Sequence, residues 1–152
     1  MTDRDVLAKI KASVLGLTEE PKLARPRRIT ARTTPDKVLT VLSGLKDAGC
    51  RHLSAISTVD TGDAFEVIYH VSAGGVLVSL RTSVPKAAPR VPTATGVFPV
   101  AVLYEREAHD LMGIEFEGHP DPRPLLLYEG WPEGQYPLRK DWKPPTGGEK
   151  HA

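Results

Sequence analysis

The sequence predicts an α+β fold: a strand–helix–meander sheet with a helix packed on one face, a second amphipathic helix, and an extended, proline-rich C-terminal strap. Three observations lead there. Runs with a two-residue hydrophobic alternation surround a segment of helical period. Glycine-bearing turns separate the alternating runs. Residues 118–145 hold seven of the fourteen prolines, too many for a helix or a central strand. With 152 residues, 40% hydrophobic and 26% charged, the chain is long enough to enclose one globular core.

Taken in order, residues 3 to about 15 place Val6, Ile10 and Val14 at helical spacing, with Leu17 beyond, and predict a short helix. A basic linker to Arg28 follows. "RRITART" reads as a strand. "TTPDKVLTVLSGLKDAGC" reads as a helix with Thr34 as N-cap, Pro35 in the first turn, an apolar face of Val38, Leu39, Val41, Leu42 and Leu45, and Gly49 as its stop. "RHLSAISTVD" is the next strand and "TGD" a turn. "AFEVIYHVS" and "VLVSLRTSV" alternate cleanly across "AGG", which makes a hairpin. Three prolines in "PKAAPRVP", residues 85–92, predict a loop. Pro99 then opens a helix to about Met112, stopped by Gly113. The expected organisation is residues 1–28 as helix and linker, 29–117 as the α+β domain, 118–142 as the strap, and 143–152 as a flexible tail.

The net charge of +1 creates no field that would gather nucleic acid or an anionic membrane. Locally the signs separate: residues 21–35 carry five basic side chains and no acid, whereas residues 104–121 are strongly acidic. The basic stretch lacks the interleaved aromatics of a single-strand binder. Cys50 is the only cysteine, so a disulfide framework, zinc ribbon or iron–sulfur cluster held by this chain alone is excluded on ligand count. Any redox centre must belong to a partner. The apolar run 97–104 is far short of the ~20 residues that span a bilayer, and the start has no signal-peptide core. The expectation is a soluble chain inside the cell.

On the helix from Pro99, Val100, Ala101, Tyr104, Ala108, Leu111 and Met112 share an arc, and Phe98 and Val102 extend it. Glu105 falls within this arc, four residues before His109, so these two can touch, and Glu105 is expected to pair with His109 or with a partner's cation. Arg106 and Asp110 form a second such pair, pointing outward with Glu107. A carboxylate in an apolar arc needs a partner if buried. Three readings compete: a solvated charged face, a metal or acid/base site from Glu105, His109 and His119, and a docking face. The last also accounts for the strap, where both tryptophans and two of the four tyrosines sit: disordered tails are poor in aromatics, so composition reads it as laid along a surface, the domain's own or a partner's, and interfaces are rich in aromatics. No P-loop, Rossmann or nucleophile-elbow signature is present.

One stretch carries more than composition. Glu105–Glu107 (E-R-E), Asp110–Ile114 (D-L-M-G-I), Phe116–Pro120 (F-E-G-H-P), Arg123, the apolar Leu125–Leu127 and Pro137–Asp141 (P-L-R-K-D) resemble the hallmark of the C-subunit family of complex I. That subunit is shared by NADH:quinone oxidoreductases and energy-converting membrane-bound nickel–iron hydrogenases. The His109–Asp110 pair, the wording "VDTGDAFEVIYH" and the short length are closer to the hydrogenase branch. The A-N-W preceding the helix in complex I members is replaced by Ala101, Val102 and Leu103, and the usual arginine doublet is reduced to Arg123. The resemblance implies a cofactor-free structural subunit on the cytoplasmic side of the membrane. It would dock on a hydrogenase-like large subunit, with an iron–sulfur small subunit nearby and the membrane arm reached only indirectly. Iron–sulfur clusters and the nickel–iron centre, or flavin and quinone site, would belong to partners. The docking residues expected on the helix side are Glu105, Arg106, Glu107, His109, Asp110 and His119. On the strap, Trp131, Tyr136 and Trp142 are the expected anchors, with Arg123, Arg139, Lys140 and Asp141 setting register.

Overall fold

A computed structural model of the protein describes residues 2–145. Its elements are α1 (Asp3–Ser13), β1 (Lys22–Arg25), β2 (Arg28–Arg32), α2 (Val38–Asp47), β3 (His52–Asp60), β4 (Ala64–Ala73), β5 (Val76–Pro85), β6 (Arg90–Pro92), α3 (Ala101–Met112) and β7 (Glu115–Glu117). β1 to β5 form one mixed sheet in the order β1-β2-β5-β4-β3. β3, β4 and β5 are the antiparallel meander, and β2 lies parallel to β5. The hairpin between β4 and β5 turns at Gly74 and Gly75, both at positive φ, as a tight two-residue turn requires.

Alternation places Phe65, Val67, Tyr69 and Val71 of β4 and Val76, Val78, Leu80 and Val84 of β5 on one face, all buried. Val6 and Ile10 of α1, Val38, Val41, Leu42 and Leu45 of α2, and Ala101, Ala108 and Met112 of α3 complete the same core. α1 and α2 approach closely at Gly44, where a Cβ would stand 2.8 Å from the Ser13 carbonyl oxygen. The opposite sheet face is polar: Arg32 and Arg81 share the Glu66 carboxylate, and His70 sits between the hydroxyls of Ser57 and Ser79. An antiparallel meander tolerates one such open face.

Four expectations need correction. The basic linker contains a strand, β1, paired antiparallel to β2; its four residues are all exposed, so it has no burial alternation to read. Residues 90–92 are not loop: β6 pairs parallel with β7, and Pro92 is tolerated because it ends a short strand. Pro35–Lys37 forms a separate 3-10 turn before α2, and Thr34 makes no side-chain cap. The strap lacks helix and strand but is not extended; it runs as successive tight turns folded back on its own domain. Of the expected tail, residues 146–152 lie outside the described residues.

Candidate functional site: one helix and the strap clasped to it

α3 buries a stripe of Ala101, Glu105, Ala108 and Met112, so Glu105 stands within the apolar face, as its place in the arc predicts. Val100 and Leu103 are exposed. Glu105 has 0% exposure. Its Oε2 accepts from the Thr93 hydroxyl at 2.6 Å, and its Oε1 from the Ala94 N–H at 2.6 Å. Burial raises its pKa, and those hydrogen bonds work in the other direction. The expected pairing with His109 does not occur. His109 Nδ1 lies 3.0 Å from the Ile114 carbonyl oxygen, to which only an N–H can bond.

His119 approaches Glu105 instead, with Nε2 3.9 Å from Oε2. That nitrogen is 3.0 Å from the Val102 carbonyl, while Nδ1 accepts the Asp121 N–H at 3.0 Å. A carbonyl below one nitrogen and an amide above the other define the neutral Nε2–H tautomer. His119 is therefore a structural clip between α3 and the start of the strap. Glu105, Arg106, His109 and His119, with Phe116 and Pro122, border a cleft of about 210 Å³. The metal reading meets an obstacle in this bonding. Both oxygens of Glu105 and both nitrogens of His119 are engaged within the chain, and no group of three or more ligating side chains that could hold a metal occurs among the described residues.

The second expected pair is also replaced. Arg106 donates from Nε to the Arg123 carbonyl at 2.8 Å and from Nη2 to the Pro124 carbonyl at 3.0 Å. One turn later, the Asp110 Oδ2 accepts the amides of Leu125, Leu126 and Leu127 at 2.8, 2.8 and 3.2 Å. A donor-only group meets carbonyls and an acceptor-only group meets amides, so the two charges hold five consecutive residues of strap in register. Asp110 is consequently buried, not solvated. Glu107 alone of the outward set is exposed. Arg123 binds Asp121 through Nε and Nη2 at 2.7 and 2.8 Å, which holds Asp121 well below the usual carboxylate range.

The far end of the strap is fastened by Pro137–Asp141. The Leu138 N–H donates to the Leu111 carbonyl and Arg139 Nε to the Met112 carbonyl. The Arg139 guanidinium lies 4.4 Å from the Tyr136 ring centre and 4.9 Å from that of Phe65. Both Arg139 and Tyr136 crowd Gly113, whose φ is 74° and where a Cβ would meet Arg139 at 2.5 Å and Tyr136 at 2.6 Å; only glycine fits both demands. Asp60, which sequence reasoning missed, accepts the Lys140 N–H and the Lys86 ammonium at 2.9 Å each and the Gly62 N–H at 2.9 Å. These donors, the Lys140 amide foremost, hold its pKa down at about 2. Lys86 also reaches Asp141 at 3.4 Å. Between the fastenings, Trp131 and Trp142 stack at 6.1 Å, and both indole N–H groups donate to Gln135. The strap exposes charged side chains, Arg123, Glu129, Glu133, Lys140 and Asp141, and among them large apolar ones: Leu125, Leu126, Tyr128 and Leu138 are 39, 56, 62 and 58% exposed.

Residues 31–147 match the family described as "Respiratory-chain NADH dehydrogenase, 30 Kd subunit". The chain is 31% identical over 148 residues to the C subunit of the F(420)H(2) dehydrogenase of Methanosarcina mazei, covering 94% of this chain and 93% of that one. It is 38% identical over 126 residues to the C subunit of the NADH-quinone oxidoreductase of Rhizobium rhizogenes, covering 78% of this chain and 62% of that protein. Against the beta subunit of the membrane-bound hydrogenase of Pyrococcus furiosus it is 36% identical over 97 residues, 60% of this chain and 56% of the other. A chain in the structure of a membrane-bound sulfane sulfur reductase, an archaeal respiratory membrane complex, superposes with TM-score 0.83 and 27% identity over 92% of this chain and 85% of that one.

Proposed function

This chain belongs to the family of the 30 kDa subunit of respiratory-chain NADH dehydrogenase, and on that premise we propose that it is a non-catalytic structural subunit in the peripheral arm of a membrane-bound, complex I-related oxidoreductase. It docks on the hydrogenase-like large subunit of an energy-converting nickel–iron hydrogenase, beside the iron–sulfur small subunit and on the cytoplasmic side of the membrane. Membrane-arm subunits are reached only through these partners. Iron–sulfur clusters and the nickel–iron centre, or flavin and quinone, are carried by the partners, and electrons pass through them. The observation that carries this reading is the strap's exposed apolar side chains, Leu125, Leu126, Tyr128 and Leu138, on a backbone tied to the domain through Arg106, Asp110, Arg139 and Asp60. Large apolar side chains displayed among charged ones are what a protein interface uses. No helix among the described residues is long and apolar enough to cross a membrane, which suits peripheral attachment.

A second reading keeps the same role but places the subunit in an ion-pumping NADH:quinone oxidoreductase. The 38% identity to the Rhizobium protein favours it, while the His109–Asp110 wording favours the hydrogenase branch. A mild-detergent affinity pull-down from the source membranes, with mass spectrometry and metal analysis, tests both. A hydrogenase-like large subunit with membrane subunits is the expected catch; nickel selects the first branch and flavin the second. Recovery of the chain alone, carrying stoichiometric metal, would overturn the docking role and return attention to Glu105, His109 and His119 as a stand-alone metal-dependent site.

A further inference from the structure

Between α3 and the turns of the strap lies a recess of about 380 Å³. Its walls are aromatic: Tyr128, Trp131 and Tyr136 line it together with prolines. Its polar groups are acidic, namely Asp110 at the base and Glu129 and Glu133 in the turns, and no lysine or arginine lines it. The Glu129 and Glu133 carboxylates are exposed. Asp110 is 4% exposed and takes its three amides on Oδ2, whereas no donor reaches Oδ1 among the described residues. His109 also lines the recess, with its Nδ1 turned to the Ile114 carbonyl.

A space walled by aromatic rings, ringed by acceptors and empty of cations is complementary to a group that only donates, carries positive charge and stacks on rings. A guanidinium has all three properties, and its planar fork matches both carboxylates and aromatic faces better than an ammonium does. The chain shows the same chemistry nearby, where Arg139 stacks on Tyr136 and Phe65. We propose that this recess receives an arginine side chain from the docked partner subunit. The inference rests on the docking reading above and deepens it: the exposed apolar side chains supply area, and the arginine supplies register.

The test uses the full chain and a defined probe, N-acetyl-L-arginine methylamide, followed by NMR through the Trp131 indole signal and the backbone amides from Glu129 to Gln135. The expected result is a saturable shift confined to those signals. The neutral citrulline counterpart binds about tenfold more weakly, because it keeps the shape and loses the charge. Glu129→Gln with Glu133→Gln, both exposed and outside the core, lowers the arginine affinity about fivefold. Absence of a saturable shift, or equal binding of citrulline and arginine, overturns the proposal. These outcomes are separate from the pull-down. A chain that assembles but ignores the probe removes only the recess, and one that binds the probe but never assembles removes the docking role.

Discussion

Glu105 and Asp60 are two buried carboxylates with opposite titration behaviour, and each makes a different pH prediction. Glu105 sits under α3 with two hydrogen bonds for its charge, and desolvation dominates, raising its pKa. A carboxyl whose folded pKa is raised takes up a proton on folding, so its contribution to stability grows as pH falls through the folded value and is complete below the unfolded one. Urea titrations should therefore show wild type gaining on Glu105→Gln between neutral pH and about 4.5. Glu105→Ala should cost about 2–4 kcal/mol at all these pH values, because the Ala94 amide loses its acceptor and a cavity opens. Asp60 is the reverse case, with a folded pKa of about 2 against an ordinary value of 3.8. Its stabilisation is present above the ordinary value and lost as pH falls from 3.8 toward 2. Asp60→Asn should lack that acid transition and expose the Lys140 amide to exchange at neutral pH. The oddness of Glu105 was legible, since a carboxylate interrupted an apolar arc. Its partners were not: Thr93 and Ala94 lie 12 and 11 residues away, just past β6, a strand that proline had disguised. Asp60 left a fainter trace, a charged residue in register with Phe65 on the inner face of the sheet.

The helix and the strap form one clasp. Arg106 and Asp110 are four apart, and spacing alone pairs them with each other, as an isolated helix would. In the folded chain the strap presents five backbone groups to the same face, and these outcompete a solvated ion pair worth roughly 0.3–0.5 kcal/mol. Asp110→Ala should leave the domain folded but lower its urea midpoint, since the Leu125, Leu126 and Leu127 amides lose their acceptor, and should raise hydrogen exchange at those residues and reduce recovery of the assembled complex. Gly113 is the hinge of the clasp. Gly113→Ala should destabilise by about 2 kcal/mol from the left-handed backbone alone, and it should also displace Tyr136 and Arg139, an effect visible as altered tryptophan fluorescence from the Trp131–Trp142 stack. Helix limits, the Gly113 stop and the irregularity of the strap could be read from period and composition. That the strap folds back on its own domain could not, because aromatics and prolines serve a partner's surface and a domain's own surface equally well.

Across the whole molecule, stability rests on one face of the sheet and the three helices laid against it. Leu42 is fully buried in α2, and Leu42→Ala should cost about 2–5 kcal/mol by urea denaturation, with the strap lost in the same transition because Asp60 and Phe65 tie it to β3 and β4. The α+β class, the meander and the helix periods were all written in the chain, because they depend on local alternation and on turn residues a few positions apart. The hallmark from Glu105 to Asp141 was enough to indicate the family. Which charges meet was settled by packing in three dimensions. β1 had no buried side to announce it, and β6 needed β7, which lies 25 residues later in register. Asp60 and Lys140 are 80 residues apart. A hydrogen bond between groups that distant is chosen by the packing that brings them together, and nothing in the spacing along the chain records it.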